Sequence, residues 1–179
     1  IMLGSIANGV TNVSGFLEGE DSFATLRAFQ QMGVQIDRTG SNIAIHGVGK
    51  YGLKSPSEPL DLGNSGTSIR LMSGLLSAQS FNCQLCGDES LSKRPMDRVI
   101  EPLSMMGAVI DSNESKPPLS IIGNQKLLAI NYTLPVASAQ IKSCLLLAGL
   151  YADGETCIIE NSKTRDHTER MRRSFGYPV

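Results

Sequence analysis

The sequence predicts an α/β (α+β) protein built from repeated βαβαββ units. Apolar helical segments alternate with short strand-like segments along all 179 residues. The phrase at Met32–Asp37 (Met-Gly-Val-Gln-Ile-Asp) recurs at Met106–Asp111 as Met-Gly-Ala-Val-Ile-Asp. The glycines of these phrases, Gly33 and Gly107, lie 74 residues apart, and Gly176 follows 69 residues later. Such a period is typical of supersecondary units that share one core.

The first unit covers about residues 1–54 and is expected to lack its first strand. Its predicted elements are an apolar helix, a strand, an amphipathic helix and two short strands. In order, they cover Ile1–Asn8, Val10–Phe16, Ser22–Met32, Val34–Asp37 and Asn42–Val48. Gly33 follows the second helix, a place where glycine usually ends a helix in the left-handed conformation.

The second unit covers about residues 55–123 and has the complete βαβαββ pattern. Its elements are predicted at Pro59–Leu62, Thr67–Ala78, Phe81–Cys86, Pro95–Met106, Val109–Asp111 and Leu119–Ile122. Pro95 is placed at the first helical position, which proline favours. The turn-rich segment Asn113–Pro118 is expected to separate the last two strands.

The third unit covers about residues 124–179 and is expected to lack its last two strands. Its elements are predicted at Leu127–Leu134, Ala139–Tyr151, Glu155–Glu160 and His167–Phe175. The apolar run Cys144–Leu150 is predicted to be a buried helical segment. Asp166 and Glu169 have the spacing of a capping box. Residues 1–179 are therefore expected to form a single domain whose first and last units are incomplete.

The composition excludes several functional classes. A net charge of −1 and an isoelectric point near 6.1 give no reason to expect nucleic-acid binding. No apolar run reaches the roughly 18 residues that a membrane span needs. The four cysteines are expected to be reduced core thiols of a cytoplasmic protein. Cys83-x-x-Cys86 has no second pair at zinc spacing, which argues against a metal site there.

Two loops have the features of an anion-binding site. Asn64-Ser65-Gly66-Thr67 precedes an apolar helix, whose free N–H groups and dipole favour a carboxylate or phosphate. Lys93 and Arg94 precede Pro95, and arginine offers a planar fork that suits the same groups. Each motif alone is also common as a turn or a solvated helix start. Together they predict a small anionic substrate.

Two further helix entrances leave alternatives open. Ser138 is placed to cap the third apolar helix, and its hydroxyl is equally suited to a phosphate. Lys163 and Arg165 precede the last helix and either meet an anion or form a solvated basic face. For Arg172 and Arg173, further along this helix, a solvated face is expected. No residue has the features of a nucleophile or a strong general base, so no catalytic residue is assigned.

The most specific motifs are Gly63–Thr67, Arg94-Pro95-Met96, Ser138-Ala139-Gln140 and Arg165–Arg170. On these motifs the whole chain resembles the 5-enolpyruvylshikimate-3-phosphate (EPSP) synthase family. The resemblance implies the enolpyruvyl transferase fold, with two domains of three βαβαββ units each. It also implies transfer of the enolpyruvyl group of phosphoenolpyruvate to the 5-hydroxyl of shikimate 3-phosphate, without a metal or organic cofactor. It further implies a monomer that is inhibited by glyphosate at the phosphoenolpyruvate site.

The same resemblance implies the site residues. The phosphoenolpyruvate contacts are Asn64, Gly66, Thr67, Arg94 and Gln140, and the shikimate 3-phosphate contacts are Ser138, Ala139, Gln140 and either Thr164 or Arg165. Ala139 can offer only its backbone N–H group. The family's Gly-x-Lys-Ser-x-Ser-x-Arg motif would end just before Ile1. The acid and base groups are expected on a second domain that this chain does not contain.

Two alternative functions are considered. UDP-N-acetylglucosamine enolpyruvyl transferase is similar in fold but carries a reactive cysteine in a Gly-Gly-Cys-Ala-x-Gly-x-Arg-Pro loop. The aligned segment here is Gly87–Pro95, with Glu89 at the cysteine position, which argues against that enzyme. The other alternative is a non-catalytic, ligand-binding domain.

Overall fold

A computed structural model describes residues 1–179 as six α-helices, nine strands and one 3-10 helix at Leu91–Lys93. The helices are α1 (Met2–Ile6), α2 (Glu20–Gln31), α3 (Gly66–Leu76), α4 (Asp97–Met105), α5 (Ala139–Gly149) and α6 (His167–Ser174). The strands are β1 (Asn8–Val13), β2 (Gln35–Thr39), β3 (Asn42–Val48), β4 (Leu60–Asp61), β5 (Cys83–Cys86), β6 (Val109–Asn113), β7 (Lys116–Ile122), β8 (Asn131–Thr133) and β9 (Cys157–Ile159). None of the helices has the length and apolarity that crossing a lipid bilayer requires.

Three sheets repeat one pairing scheme. The second unit forms a four-stranded sheet in the order β4-β5-β7-β6, in which β4 and β5 are parallel and the other pairs antiparallel. The first unit reproduces the antiparallel part as β1-β3-β2, and the third reproduces the parallel pair as β8-β9. The predicted α/β fold class, with partial units flanking a full one, is confirmed.

The repeat extends to the way three helices end. Helices α2, α4 and α6 are each followed by a glycine with positive φ: Gly33 (87°), Gly107 (95°) and Gly176 (85°). The amide that follows each glycine donates back to a carbonyl in the last helical turn, at 3.0 Å in all three cases. This is the Schellman arrangement, and it confirms glycine as the predicted helix terminator.

Helices α3 and α5 pack against each other in the centre of one continuous core. The predicted burial of the apolar run in α5 is confirmed, since Cys144 and Leu145 have no exposed surface. The two helices approach closely at Gly74, where a Cβ atom would lie 2.1 Å from the carbonyl oxygen of Cys144. Each fully buried leucine contributes about 1.5–3 kcal/mol relative to an exposed one. The close contact fixes how the two helix N-termini lie relative to each other.

The predicted start of the fourth helix is wrong. The helix begins at Asp97, and Pro95 lies outside it. The residue before a proline is driven towards extended backbone, and Arg94 accordingly has φ −80° and ψ 133°. The amide of Met96 donates to the carbonyl oxygen of Ser115 at 2.7 Å, so this segment pairs with a distant turn before the helix begins.

The segment predicted as a turn at Asn113–Pro118 is mostly strand. Strand β6 ends at Asn113 and β7 begins at Lys116, and these two residues are paired across the sheet. Only Glu114 and Ser115 form the turn, with φ values of 48° and 55°. Two successive positive φ values match the tight hairpin turn whose twist suits the flanking strands.

Two local predictions in the third unit are wrong. The capping box is absent: the Asp166 side chain accepts no bond from the helix, and Oε1 of Glu169 accepts from Nζ of Lys142 at 2.7 Å instead of from the amide of Asp166. Hydrogen bonds between charged groups are stronger than neutral ones, so this contact replaces the capping box. Cys157 is exposed, whereas it was expected in the core.

The remaining cysteines are also free thiols. Cys83 and Cys144 are buried, and burial raises the pKa of each thiol to about 12. Cys86 is partly buried, and burial raises its pKa as well. Thiols with raised pKa values are poor nucleophiles at neutral pH.

Candidate functional site

The N-terminus of α3 is built by a hydroxyl network. Ser65 caps the helix, since its Oγ accepts from the amide of Ser68 at 3.2 Å. Oγ of Ser68 lies 2.7 Å from Oγ of Ser65 and 2.6 Å from Oγ1 of Thr25 on α2. The network anchors the helix start. The amide of Gly66 donates to the carbonyl oxygen of Asn64 at 3.0 Å, whereas the first-turn amide of Thr67 has no partner within the chain. This end of the helix therefore has the electrostatics of an anion site.

Arg94 lies at this same entrance, beside Asn64 as the resemblance implies, and not at the start of α4, where its position before Pro95 alone would place it. Its Nη2 donates to Oδ1 of Asn64, whose Nδ2 donates in turn to Oδ2 of Asp88 at 2.9 Å. The amide of Leu91 and the Asn64 side chain lower the pKa of Asp88. Asn64 thus links the arginine to the loop that carries Asp88.

Arg70 is a second guanidinium at the entrance, and the sequence did not single it out. Its Nη1 donates to the carbonyl oxygen of Gly66 at 3.0 Å, and its Nη2 to that of Pro95 at 3.2 Å. Burial lowers the pKa of Arg70, and the charges of Arg94 and Arg98 lower it further. A bound anion would relieve this repulsion. The available signal was that Arg70 is the one charged residue in α3.

Gly66 lies between the two guanidinium groups. A Cβ atom at this position would lie 2.8 Å from Nη1 of Arg70 and 2.8 Å from Nη1 of Arg94. Gly66 is the first residue of α3 and has no positive φ, whereas Gly63 just before it has φ 56°. The turn therefore depends on Gly63, and Gly66 leaves space beside the arginines.

Gln140 joins the N-termini of α3 and α5. Its Nε2 donates to Oγ1 of Thr67 at 2.8 Å, and its Oε1 accepts from Nη1 of Arg70 at 3.3 Å. Ser138 caps α5 by accepting from the amide of Ile141 at 3.3 Å. Residues that are distant in sequence thus meet at one face.

A cavity of about 190 Å³ opens beside Gln140. Its walls come from α3, α5 and the start of α6: Thr67, Leu71, Ala139, Gln140, Ser143, Arg165, His167, Thr168 and Met171. Thr67, Ala139, Gln140 and Arg165 are among the predicted site residues. His167 was not predicted as a site residue, although its place at the start of a helix was a usable signal.

Thr164 has different surroundings from its neighbour Arg165. Its hydroxyl donates to Oε2 of Glu160 at 2.7 Å, and its amide donates to Oε1 of the same carboxylate at 3.3 Å. The Arg165 side chain makes no hydrogen bond or ion pair within the chain and lines the cavity. The structure therefore brings Arg165, and not Thr164, to the cavity wall.

Other predicted basic residues are spread along α6. Arg173 is exposed, but Arg172 is half-buried and its Nη1 donates to the carbonyl oxygen of Leu146 at 3.2 Å. The predicted solvated face is thus wrong for Arg172, because this side chain packs against α5. No group of three or more His, Cys, Asp or Glu side chains lies close enough together to hold a metal ion.

Comparisons with known proteins match the whole chain. The family model described as EPSP synthase (3-phosphoshikimate 1-carboxyvinyltransferase) matches residues 1–179. The chain is 68% identical over 179 residues to the 3-phosphoshikimate 1-carboxyvinyltransferase of Ruthia magnifica subsp. Calyptogena magnifica, and 65% identical over 181 residues to that of Hydrogenovibrio crunogenus. Each match covers 100% of this chain and 41% of the relative.

A solved structure gives the same result. The EPSP synthase from Acinetobacter baumannii superimposes with a TM-score of 0.97 at 57% sequence identity. The match covers 99% of this chain and 41% of that one. The chain therefore spans about two fifths of the length of the proteins that it matches.

Proposed function

Because this chain belongs to the EPSP synthase family, we propose that the whole protein transfers the enolpyruvyl group from phosphoenolpyruvate to the 5-hydroxyl of shikimate 3-phosphate. This reaction belongs to the shikimate pathway of aromatic amino acid biosynthesis. The family match favours it over the UDP-N-acetylglucosamine reaction. Glu89 supports the same choice, since it is an exposed residue that pairs with Lys93 at 2.6 Å and offers no thiol.

The entrance of α3 is the proposed phosphoenolpyruvate site, formed by Asn64, Gly66, Thr67, Arg94 and Gln140. Its strongest support is that Arg94 and Arg70 flank the helix N-terminus without a carboxylate partner. A phosphate or carboxylate placed there would meet the helix dipole and two guanidinium forks at once. Glyphosate is proposed to occupy this site in competition with phosphoenolpyruvate.

The cavity beside α5 is the proposed shikimate 3-phosphate site, with Ala139 and Gln140 on one wall and Ser138 next to them as the cap of α5. Of the two residues implied for the phosphate contact, Arg165 is the better supported. The N–H and O–H groups of Thr164 both donate to the carboxylate of Glu160, so neither is free for a ligand. The negative charge of Glu160 would also repel a phosphate beside Thr164. Arg165 is cationic, unpaired and part of the cavity wall.

The side chains at the site are suited to binding and charge neutralisation. The reaction is proposed to run by addition and elimination through a tetrahedral intermediate, which needs proton transfer. A general base works best when its pKa lies near the working pH. The carboxylates of Asp88 and Glu160 have lowered pKa values, which makes them weak proton acceptors. The acid and base groups are therefore proposed to come from the second domain.

The remaining proposals concern the setting of the whole protein. It is proposed to act as a monomer in the cytoplasm, without a metal or organic cofactor. Four free thiols support a reducing compartment, because disulfides seldom form there.

The test uses the full-length protein. Release of inorganic phosphate is measured with phosphoenolpyruvate and shikimate 3-phosphate together, and with each alone. Phosphate release is expected only when both are present, with EPSP as the second product. Turnover with UDP-N-acetylglucosamine in place of shikimate 3-phosphate would overturn the proposal. Binding of either substrate without any turnover would instead indicate a non-catalytic, ligand-binding protein.

A further inference from the structure

Lys142 is a buried cation directly behind the cavity. The residue has 5% of its surface exposed and lies on α5, two positions after Gln140. Its Nζ lies 3.1 Å from Oε2 of Glu160 and 2.7 Å from Oε1 of Glu169. Burial alone would lower the pKa of Lys142, but the bonds to Glu169 and Glu160 outweigh it and the pKa is raised. The lysine therefore stays charged, with two carboxylates as partners.

The two carboxylates come from different elements. Glu160 directly follows β9, and Glu169 lies in the first turn of α6. Lys142 thus connects both ends of the loop that separates β9 from α6. A second contact supports the same junction, since Oγ of Ser143 lies 2.7 Å from Oγ1 of Thr168. Both contacts join α5 to the segment that carries Arg165.

Glu160 also organises the interior of that loop. Its carboxylate accepts from both the amide and the hydroxyl of Thr164, and Thr164 immediately precedes Arg165. A chain of bonds therefore runs from Lys142 through Glu160 to Thr164. It ends at the one cavity-lining arginine that has no partner of its own. A free guanidinium can meet a ligand in a defined geometry only if its backbone is held in place.

We propose that Lys142, Glu160 and Glu169 form a positioning cluster that holds the loop of residues 160–166 against α5 and so directs Arg165 towards the 3-phosphate of the shikimate substrate. Removing the lysine would leave two partly buried carboxylates without a counter-ion, and their repulsion would displace the loop. This inference rests on the proposed function, because it assumes that the cavity binds shikimate 3-phosphate. It assigns the cluster no contact with substrate.

The experiment compares steady-state kinetics of full-length wild-type and Lys142→Met proteins. Methionine keeps much of the apolar stem and removes the charge. The KM for shikimate 3-phosphate is expected to rise about 10- to 100-fold, as for a displaced binding group. The KM for phosphoenolpyruvate is expected to stay unchanged, since none of its proposed contacts lies on the loop of residues 160–166. Lys142→Arg, which keeps the charge and can reach both carboxylates, is expected to restore part of the loss.

Lys126→Met is the matched control. Lys126 forms an ion pair with Asp153 at 2.9 Å, but its side chain is 77% exposed and lies outside the cavity. This variant is expected to keep both KM values. The control therefore distinguishes the effect of losing any ion pair from the effect of losing the cluster behind the cavity.

If Lys142→Met does not fold, Glu160→Gln is used to test whether the cluster positions Arg165. Glutamine retains an oxygen that can accept from Thr164 but loses the charge that holds Lys142. A selective rise in the KM for shikimate 3-phosphate is again expected, smaller than for Lys142→Met. Equal changes in both KM values, or no change in either, would overturn the cluster's positioning role while an active wild type leaves the proposed function intact. A wild-type protein without turnover would overturn the proposed function and this inference together.

Discussion

The two proposed binding regions of the molecule differ in how their cations are neutralised. At the entrance of α3, Arg70 and Arg94 donate only to neutral acceptors, namely backbone carbonyls, side-chain amides and a serine hydroxyl. Behind the cavity of α5 and α6, Lys142 is held by two carboxylates. The chain thus gives Lys142 directly bonded counter-ions, whereas the carboxylates of Asp97 and Asp88 act on Arg70 and Arg94 only from beyond ion-pair distance.

This difference indicates what each cation does. A cation that already has its counter-ions gains little from a ligand and stabilises the fold instead. A cation that faces only neutral groups, or none, keeps its full attraction for an incoming anion. By this criterion Arg165 is expected to bind an anion, as the arginines at α3 are, although it lies next to the neutralised cluster. The four predictions below test the division, beginning with the largest expected effect.

The chain of residues 1–179 by itself is expected to show no enolpyruvyl transfer. Unneutralised arginines bind anions but do not exchange protons near neutral pH, and the carboxylates of Asp88 and Glu160 are weak bases. Phosphate release from phosphoenolpyruvate and shikimate 3-phosphate is measured for the folded chain, with the full-length protein as the positive control. Turnover of about 1–1,000 per second would contradict the view that this region only binds.

Arg94→Lys in the full-length protein is expected to reduce kcat/KM for phosphoenolpyruvate by about 30- to 1,000-fold. Lysine keeps the charge but loses the planar fork, a loss of about 2–4 kcal/mol in transition-state stabilisation. Arg38→Lys is the matched control, because Arg38 is exposed and already paired with Glu18 at 2.7 Å. If both variants keep full kcat/KM, Arg94 does not bind phosphoenolpyruvate, and the proposed role of the arginines at the entrance of α3 is contradicted.

Gly66→Ala is expected to raise the glyphosate inhibition constant about 5- to 150-fold, and the KM for phosphoenolpyruvate by a smaller factor. The added methyl group would displace the flexible ends of both arginines and narrow the space for a ligand, and crowding of this kind costs about 1–3 kcal/mol of binding free energy. The clash should affect glyphosate more, since it is longer than phosphoenolpyruvate. The whole protein as it stands is accordingly expected to be glyphosate-sensitive.

Gly63→Ala provides the control for backbone strain. Gly63 has φ 56° and open space around it, so alanine there should lower stability by about 1–2 kcal/mol without a selective effect on the inhibitor. Gly66 is helical, and Gly66→Ala should leave the thermal midpoint unchanged or slightly raised. Equal losses of both affinities with a lower midpoint in Gly66→Ala would refute its place beside the ligand.

The smallest expected effect is a pH dependence of stability from the neutralised cluster. Thr164 and Lys142 lower the pKa of Glu160, so its stabilisation is complete above its ordinary value of 4.5 and is lost as pH falls through the lowered pKa. The pKa of Lys142 is raised, so its contribution to the free energy of unfolding is complete below its ordinary value of 10.5 and is lost only at higher pH. Glu160→Gln should therefore cost about 1 kcal/mol at neutral pH.

Urea unfolding of wild-type and Glu160→Gln proteins measures this difference. The gap in unfolding free energy should stay constant at pH values between 4.5 and 10.5 and narrow progressively at lower pH. A gap that does not depend on pH in the acid range would mean that Glu160 is not held ionised by the cluster. The contrast between the two regions would then lose its electrostatic basis.

Local sequence signals predicted the parts of this molecule that depend on near neighbours. The helix start at Ser138 follows from a capping residue, and the ends of three helices follow from glycine, because both depend on a few adjacent residues. The apolar periodicity similarly predicted the alternation of helices and strands, apart from their exact ends.

Contacts between distant residues could not be predicted in this way. Gln140 meets Arg70 across 70 positions, and nothing near either residue signals the other. The motif at Glu169 matched a capping box, yet the carboxylate pairs with Lys142 from another helix. Arg94 was expected at the entrance of its own following helix, but tertiary packing places it at that of α3. In each case a strong long-range interaction replaced a weaker local one.

The contact between Gly74 and Cys144 has a dynamic consequence. Because the backbones of α3 and α5 touch there with no side chain between them, neither helix can slide or rotate without a clash. Slow collective motions must therefore carry the two helices as one rigid body. The entrance of α3 and the cavity beside α5 would keep a constant spacing through any opening or closing of the whole protein. Groups bound at these two places would therefore keep their distance and orientation relative to each other.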